Sequence, residues 1–362
     1  MDFSYTHEQM DLQNLVKNIS ANYTNADDGK VFNPFWKILV DTGILGSSLP
    51  KKYGGTNLSF LESCIVAENL GLKAVISPFI VTTSSAIAIE QFISSSRKLK
   101  ILSDIVRGRS IVTLALNEEN IINPFICKTK ITKKNKLFVL NGSKVCVPYA
   151  KESDYLLVSC LMNSKIEVVL IDTSSPNIEF KEQATSTGEP QYIVNFKNLK
   201  IDQDFVLRCD ENNGLEILER IINKTVTLFC SYSIGLNESM LDLITSYTTT
   251  REAFKTPIAS FQAVSHRAAN CYIDIACLRA VTQQAISSLC KKKESSQSVA
   301  IAKVWCGDVC HRTSYSAQHL HGGIGIDREY PLFRFCLMAK QLELTLGSSQ
   351  FYLTEIGNKI SQ

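Results

Sequence analysis

The hydrophobic period of this 362-residue chain changes twice, and that alternation restricts its architecture more than any single motif. Up to about residue 110, apolar residues recur at helical spacing, most clearly in Leu61–Leu72, Ser84–Phe92 and Lys98–Val106. Gly71, Ser77-Pro78 and Gly108 punctuate these stretches. From Ile111 to about Ile201 the period shortens to that of strands: Val112–Leu116, Lys136–Leu140, Tyr155–Val158, Ile166–Ile171 and Tyr192–Phe196. Asn141-Gly142 suits a tight turn with positive φ, and the strands read as an antiparallel set. From about Gly214 the helical period returns in Leu215–Arg251, Pro257–Lys291, Gln297–His321 and Pro331 to the end. Helices, then strands, then helices is an α+β order, not an alternating one. Three segments are expected: 1–110 helical, 111–205 β, and 206–362 helical.

Composition narrows the function classes. With 45% hydrophobic residues the chain can bury a large core. A formal charge of +3 gives no ground for nucleic-acid or membrane-surface binding. No apolar run is long enough to span a bilayer, and the N-terminus lacks the basic-then-apolar order of a secretory signal, so a cytoplasmic protein is expected. The twelve cysteines are scattered among apolar neighbours and read as reduced core residues. Cys306, Cys310 and His311 lie close in sequence, but no second ligand pair accompanies them, so no metal site is expected. The run Lys291-Lys292-Lys293-Glu294-Ser295-Ser296 reads as a solvated loop.

Two motifs carry the chemistry. Residues 251–262 read Arg-Glu-Ala-Phe-Lys-Thr-Pro-Ile-Ala-Ser-Phe-Gln, and residues 318–325 read Gln-His-Leu-His-Gly-Gly-Ile-Gly. Near the start, Leu49-Pro50-Lys51-Lys52-Tyr53-Gly54-Gly55 follows Gly43-Ile44-Leu45-Gly46, and the chain opens Met1-Asp2-Phe3-Ser4-Tyr5-Thr6-His7-Glu8-Gln9. Together these resemble the signatures of the acyl-CoA dehydrogenase family, and the resemblance runs along nearly the whole chain. It implies an N-terminal helical domain, a central β-barrel and a C-terminal four-helix bundle that drives tetramer assembly. It also implies an FAD cofactor, an acyl-CoA substrate oxidised between its α and β carbons, and an electron-transfer flavoprotein as acceptor. Gly323-Ile324-Gly325 by itself is a poor dinucleotide fingerprint, because no strand precedes it and Arg328 stands where a third glycine belongs.

The resemblance assigns roles residue by residue. Arg251 would reach the FAD pyrophosphate of a neighbouring subunit, a task suited to the guanidinium fork; the alternative is an ion pair with Glu252. Phe254 would pack on the cofactor, Gln262 would bond near its adenosine end, and Gln318 and Gly322 would approach the same FAD. The chain's own flavin pocket departs from the family. Asn117 stands where a hydroxyl residue is usual, and Asn120-Ile121-Ile122 replaces a small Ala-Gly-Ser bend. In Lys144-Val145-Cys146-Val147-Pro148, Cys146 replaces a tryptophan and Pro148 a threonine; Pro148 has no N–H to donate. A variant branch sharing Val147-Pro148-x-Ala150 still uses FAD.

No general base is identified. The family's glutamate position holds Leu346, whose backbone N–H remains able to polarise a thioester. Glu343 is one helical turn earlier. The alternative base positions fall at Thr225 and Tyr232, with Glu219 and Glu238 flanking them. Three readings stay open: a subunit that completes the FAD site of a homologous partner, an active homo-oligomer with an unusual base, and a flavin-free CoA-ester scaffold. The residues donated across an interface are intact and those serving the chain's own flavin and base are altered, a sorting that favours the first.

Overall fold

The computed structural model describes residues 4–21, 23, 34–134, 137–208, 214–291 and 295–361. Met1–Phe3 of the opening run, Lys136 of the expected second strand and Lys292–Glu294 of the lysine loop lie outside the described residues. The chain divides into two compact units, one built from residues 24–63 and 76–225, the other from 1–23, 64–75 and 226–362.

The first unit carries a seven-stranded sheet: β1 (Val112–Ala115), β2 (Lys130–Lys134), β3 (Leu137–Pro148), β4 (Tyr155–Met162), β5 (Lys165–Asp172), β6 (Ile178–Gln183) and β7 (Gln191–Asp202). β5 pairs along the whole of β4, while β1 and β2 run one behind the other on the opposite edge of β4, facing Tyr155–Val158 and Leu161. Both of those pairings are parallel, so the sheet is mixed and not the expected antiparallel set. The reason is topological: the 116–129 loop carries the chain onward in the direction of β1 before the β2–β3 hairpin reverses it.

Asn141-Gly142 is not a turn. β3 runs straight through it, and the pairing with β7 shifts register between Leu140 and Gly142. Gly142 takes φ 151°, and a Cβ there would stand 2.6 Å from Thr129 Oγ1, so glycine admits a neighbouring strand end instead of reversing the chain. The sequence reading missed β2 and β6: β2 is lysine-rich, and β6 is an edge strand with no fully buried residue. Helix α4 (Phe79–Phe92) packs on β1, and α5 (Lys98–Val106) packs on α4. Trp36 of α2 (Pro34–Asp41) donates to Gly108 O at 3.3 Å, just beyond the end of α5.

The second unit is helical. It contains α1 (His7–Ala21), most of α3 (Phe60–Gly71), residues 226–250 of α6 (Gly214–Thr250), α7 (Gln262–Cys290), α8 (Ser296–His321), α9 (Pro331–Leu344) and α10 (Ser349–Ile360). α8 is its axis, packing against α7, α9 and α10. Two expected helices differ. The segment from Pro257 becomes helical only at Gln262, because residues 252–257 form a hairpin of β8 (Glu252–Ala253) and β9 (Thr256–Pro257). The final segment is broken between α9 and α10, where Leu346 and Gly347 both take positive φ. Cys306 and Cys310 are buried in the bundle while neighbouring His311 is exposed beside Glu343, so the three side chains do not converge. Among the described residues no helix is long and apolar enough to cross a membrane.

α3 and α6 cross backbone to backbone. A Cβ on Gly71 would lie 2.0 Å from Tyr232 O, and one on Gly235 would lie 2.0 Å from Glu68 O. Neither neighbour is a flexible side chain, so the helices would have to separate. Gly71→Ala is expected to destabilise the chain by about 2–4 kcal/mol, read as a lower thermal midpoint, against the slight gain an unconstrained helix would show.

Candidate cofactor and thioester site

In the helical unit the two signature motifs meet at Tyr247. Its carbonyl accepts from the Arg251 N–H at 2.8 Å, closing α6, and its ring stacks on His321 with centroids 4.6 Å apart. His321 is buried, and burial pushes its imidazole below the ordinary value; its Nδ1 lies 2.8 Å from Ala317 O. It immediately precedes Gly322, so Tyr247 ties the arginine motif to the glycine motif.

Beyond Tyr247 the chain turns out into the β8–β9 hairpin. Phe254 and Lys255 form its tip with φ of 56° and 65°, a left-handed pair that a tight hairpin requires and that non-glycine residues adopt only under strain. Phe254 is 92% exposed and touches another ring only edge-on, at Phe261, 6.3 Å away. The Arg251 guanidinium is exposed and forms no ion pair with Glu252 or any other carboxylate among the described residues. Gln262 is exposed at the first position of α7, and Gln318 is half-buried in the last turn of α8. Gly322 caps α8 with φ 63°, and a Cβ on either Gly322 or Gly323 would meet nothing within 4 Å. These glycines leave room that none of the described residues fills. His319, three residues before Gly322, is exposed with Nδ1 3.0 Å from Arg267 Nη1. The sequence reading missed Tyr247, Arg267 and His319; the visible hint was Tyr247 standing one turn before Arg251.

In the sheet unit, Asn117, Cys146 and Pro148 share one rim. Val145 N–H donates to Asn117 O at 2.9 Å, and Thr113 Oγ1 donates to Pro148 O at 2.6 Å. The register shift between Lys144 and Val147 turns Cys146 outward with φ 51°. Its N–H donates to Gln183 Oε1 at 2.7 Å, so this backbone donor is already engaged. Beneath the rim, fully buried Lys144 donates to Glu118 Oε1 at 2.8 Å, Ser159 Oγ at 3.0 Å and Leu116 O at 3.2 Å.

The base positions hold no free carboxylate. Leu346 is 7% exposed with φ 56°, and its carbonyl accepts from Tyr352 Oη at 3.0 Å. Among the described residues its N–H has no acceptor. Thr225 Oγ1 returns to Ile221 O at 2.8 Å, and Tyr232 Oη donates to Val75 O at 3.0 Å. Glu238 is bound by Arg279, which also holds Glu68 at 2.8 Å, and Glu343 is bound by Lys340. Glu219 sits half-buried on α6.

Residues 7–109 match the N-terminal domain of acyl-CoA dehydrogenases, and residues 212–361 match their C-terminal domain. The chain is 27% identical to acyl-CoA dehydrogenase FadE27 of Mycobacterium tuberculosis (strain ATCC 25618 / H37Rv), over all of this chain and 99% of that one. It superposes on a chain of the ChsE4-ChsE5 complex from Mycobacterium tuberculosis with a TM-score of 0.92 and 27% identity, covering 100% of this chain and 99% of the other. Butyryl-CoA dehydrogenase from Megasphaera elsdenii shares the fold, with a TM-score of 0.91 at 23% identity and full coverage of both chains.

The chain belongs to the acyl-CoA dehydrogenase family.

Acyl-CoA dehydrogenases bind FAD and oxidise CH–CH groups, and their fold is the helix–sheet–helix order described above. The two halves of an acyl-CoA dehydrogenase flavin site fare differently in this chain. The helical unit fits the cofactor: Arg251, with no ion pair among the described residues, suits a diphosphate, and the open Gly322–Gly323 turn admits close backbone approach. The sheet rim fits less well, since Pro148 has no N–H and the Cys146 N–H is taken by Gln183.

Proposed function

We propose that this chain is the base-less subunit of a two-chain acyl-CoA dehydrogenase, lending Arg251, Phe254, Gln262, Gln318 and Gly322 to the FAD of a homologous partner. The observation that carries the proposal is the bare hairpin: a 92% exposed phenylalanine, held in strained backbone three residues from an arginine with no ion pair among the described residues. A side chain this apolar gains nothing in water, and a neighbouring chain with its cofactor supplies the missing cover. ChsE4-ChsE5 is a complex of two differently named chains, and the steroid acyl-CoA dehydrogenase Tcur3481-Tcur3483 likewise carries two names; both support the same arrangement here.

Within that assembly the chain's residues bind and position. Arg251 neutralises phosphate charge, Phe254 shields an aromatic face, and the α8 C-terminus sets the distance of approach. FAD held there would supply the acceptor for the hydride of the β carbon, with an electron-transfer flavoprotein as the outlet for its electrons. The proton on the α carbon goes to a carboxylate of the partner, because Leu346, Thr225 and Tyr232 cannot accept it. The segments 1–110, 111–205 and 206–362 are proposed as the domain limits. An active homo-oligomer would need Glu238 or Glu219 as base, and Glu238 is committed to Arg279.

The test is the flavin content of the chain purified alone and with a co-expressed homologue. Little flavin alone, and a stoichiometric complement with catalytic turnover in the pair, is the expected result. Full flavin content and substantial turnover in the chain alone would overturn the proposal.

A further inference from the structure

α4 is buried from Phe79 to Ile89, yet four consecutive residues, Thr82, Thr83, Ser84 and Ser85, carry hydroxyls. Hydroxyls inside helices ordinarily return to a carbonyl one turn back. In α6, Thr225 bonds Ile221 O at 2.8 Å, Ser231 bonds Thr227 O at 3.0 Å and Thr248 bonds Ile244 O at 2.8 Å. Ser84 behaves similarly, donating to Val81 O at 3.2 Å. Thr82, Thr83 and Ser85 do not. They are 0%, 3% and 0% exposed, and among the described residues their hydroxyl oxygens have no partner.

The orphans are also grouped. At about 100° per residue, Thr82 lies between Ser85 and Thr83, and the three share one arc of roughly 160°, with Ser84 on the other side. α4 packs against β1, and β1 bonds Pro148 through Thr113 and leads into Asn117. The hydroxyl arc is therefore carried by the helix that backs the rim strand. Burying a hydroxyl without a partner destabilises a fold, and three on one arc is a pattern that a polar ligand would satisfy.

We infer that Thr82, Thr83 and Ser85 bind the acyl portion of a CoA thioester that carries oxygen along its chain, as hydroxyl or keto groups. This rests on the acyl-CoA reading above for the thioester, and adds the chemistry of the acyl group. A hydroxyl both donates and accepts, so the arc recognises either oxygen function, whereas a plain alkyl chain leaves all three groups unpaired. On the base-less subunit reading above, the chain would hold this ester without oxidising it.

The experiment is calorimetric titration of the full-length chain, alone and with its partner, using octanoyl-CoA and its ω-hydroxy analogue as probes. The hydroxylated ester is expected to bind about tenfold tighter or better. The double variant Thr82→Val, Ser85→Ala is expected to lose that preference while its melting midpoint rises, since two orphan hydroxyls are gone. Equal binding of the two esters by the native chain would overturn the inference. So would a variant that keeps the preference, or one that melts lower because the hydroxyls serve packing or internal water. If neither ester binds while the chain still supports turnover in its pair, this inference fails and the proposed function stands. If the chain alone proves flavin-replete and active, the proposed function fails, and the preference between esters still decides this one.

Discussion

Arg251→Ala is expected to weaken FAD retention in the proposed two-chain assembly by about 10- to 100-fold, the loss that follows when charge-assisted bonds to phosphate are removed. The chain itself should fold normally. The guanidinium is exposed and has no protein partner among the described residues, and the backbone bonds from Arg251 N–H to Tyr247 O and from Ile258 N–H to Arg251 O survive the substitution. The readout is flavin released on gel filtration of the assembled pair, followed by turnover with and without added FAD. Rescue of turnover by excess FAD is the expected signature of lost cofactor affinity. Arg251→Lys should recover only part of the effect, because an ammonium cannot bridge two phosphate oxygens as the fork does. Unchanged flavin retention in Arg251→Ala would remove the main support for the interface reading.

Glu118→Gln is expected to have the largest effect on stability. Lys144 is fully buried, and Glu118 is its only carboxylate partner among the described residues. The same carboxylate accepts from Lys128 N–H at 2.6 Å and Thr129 N–H at 3.0 Å, so it also pins the 116–129 loop that joins β1 to β2. Neutralising it strands an ammonium in the core, at a cost of about 3–5 kcal/mol. In a chain of this size that corresponds to a fall in melting midpoint on the order of 10 °C. The double variant Glu118→Gln, Lys144→Met should recover much of the loss, because the uncompensated charge is then absent. A single variant as stable as the native chain would show that water reaches Lys144.

The same pair fixes an acid limit. Burial opposes ionisation of Glu118, but the hydrogen bond and charge of Lys144, aided by the Thr129 and Lys128 N–H groups, hold its carboxyl below the usual range. A carboxyl depressed in the folded state contributes stability that is present above its unfolded value and lost as pH falls through the folded one. Denaturant midpoints should therefore decline on acidification below about pH 4.5, and Glu118→Gln should flatten that decline.

Much of this fold was legible because the periods of helix and strand are local. α5, α6 and α8 begin and end within a residue or so of their sequence limits. What was not legible depends on partners distant in sequence. The parallel pairing of β1 with β4 cannot be seen in either strand, and Gly142 looks like a turn until Thr129 is placed against it. β2 hides because its lysines mask a single buried alternation at Ile131. At the site, Arg251 and Gly322 stand out in the sequence through the resemblance of their motifs to those of the family. Tyr247, which joins them, belongs to no motif. The orphan hydroxyls of α4 resemble ordinary helix residues until their missing bonds are noticed.

The bare hairpin also bears on how the chain must be made. A phenylalanine held out in water at a hairpin tip, beside exposed Phe261, is a surface to which other unfinished chains adhere. Copies synthesised in excess of the partner would be drawn into aggregates or recognised by chaperones before they could wait for assembly. If the proposed two-chain assembly holds, yield should follow the supply of partner more closely than the strength of expression.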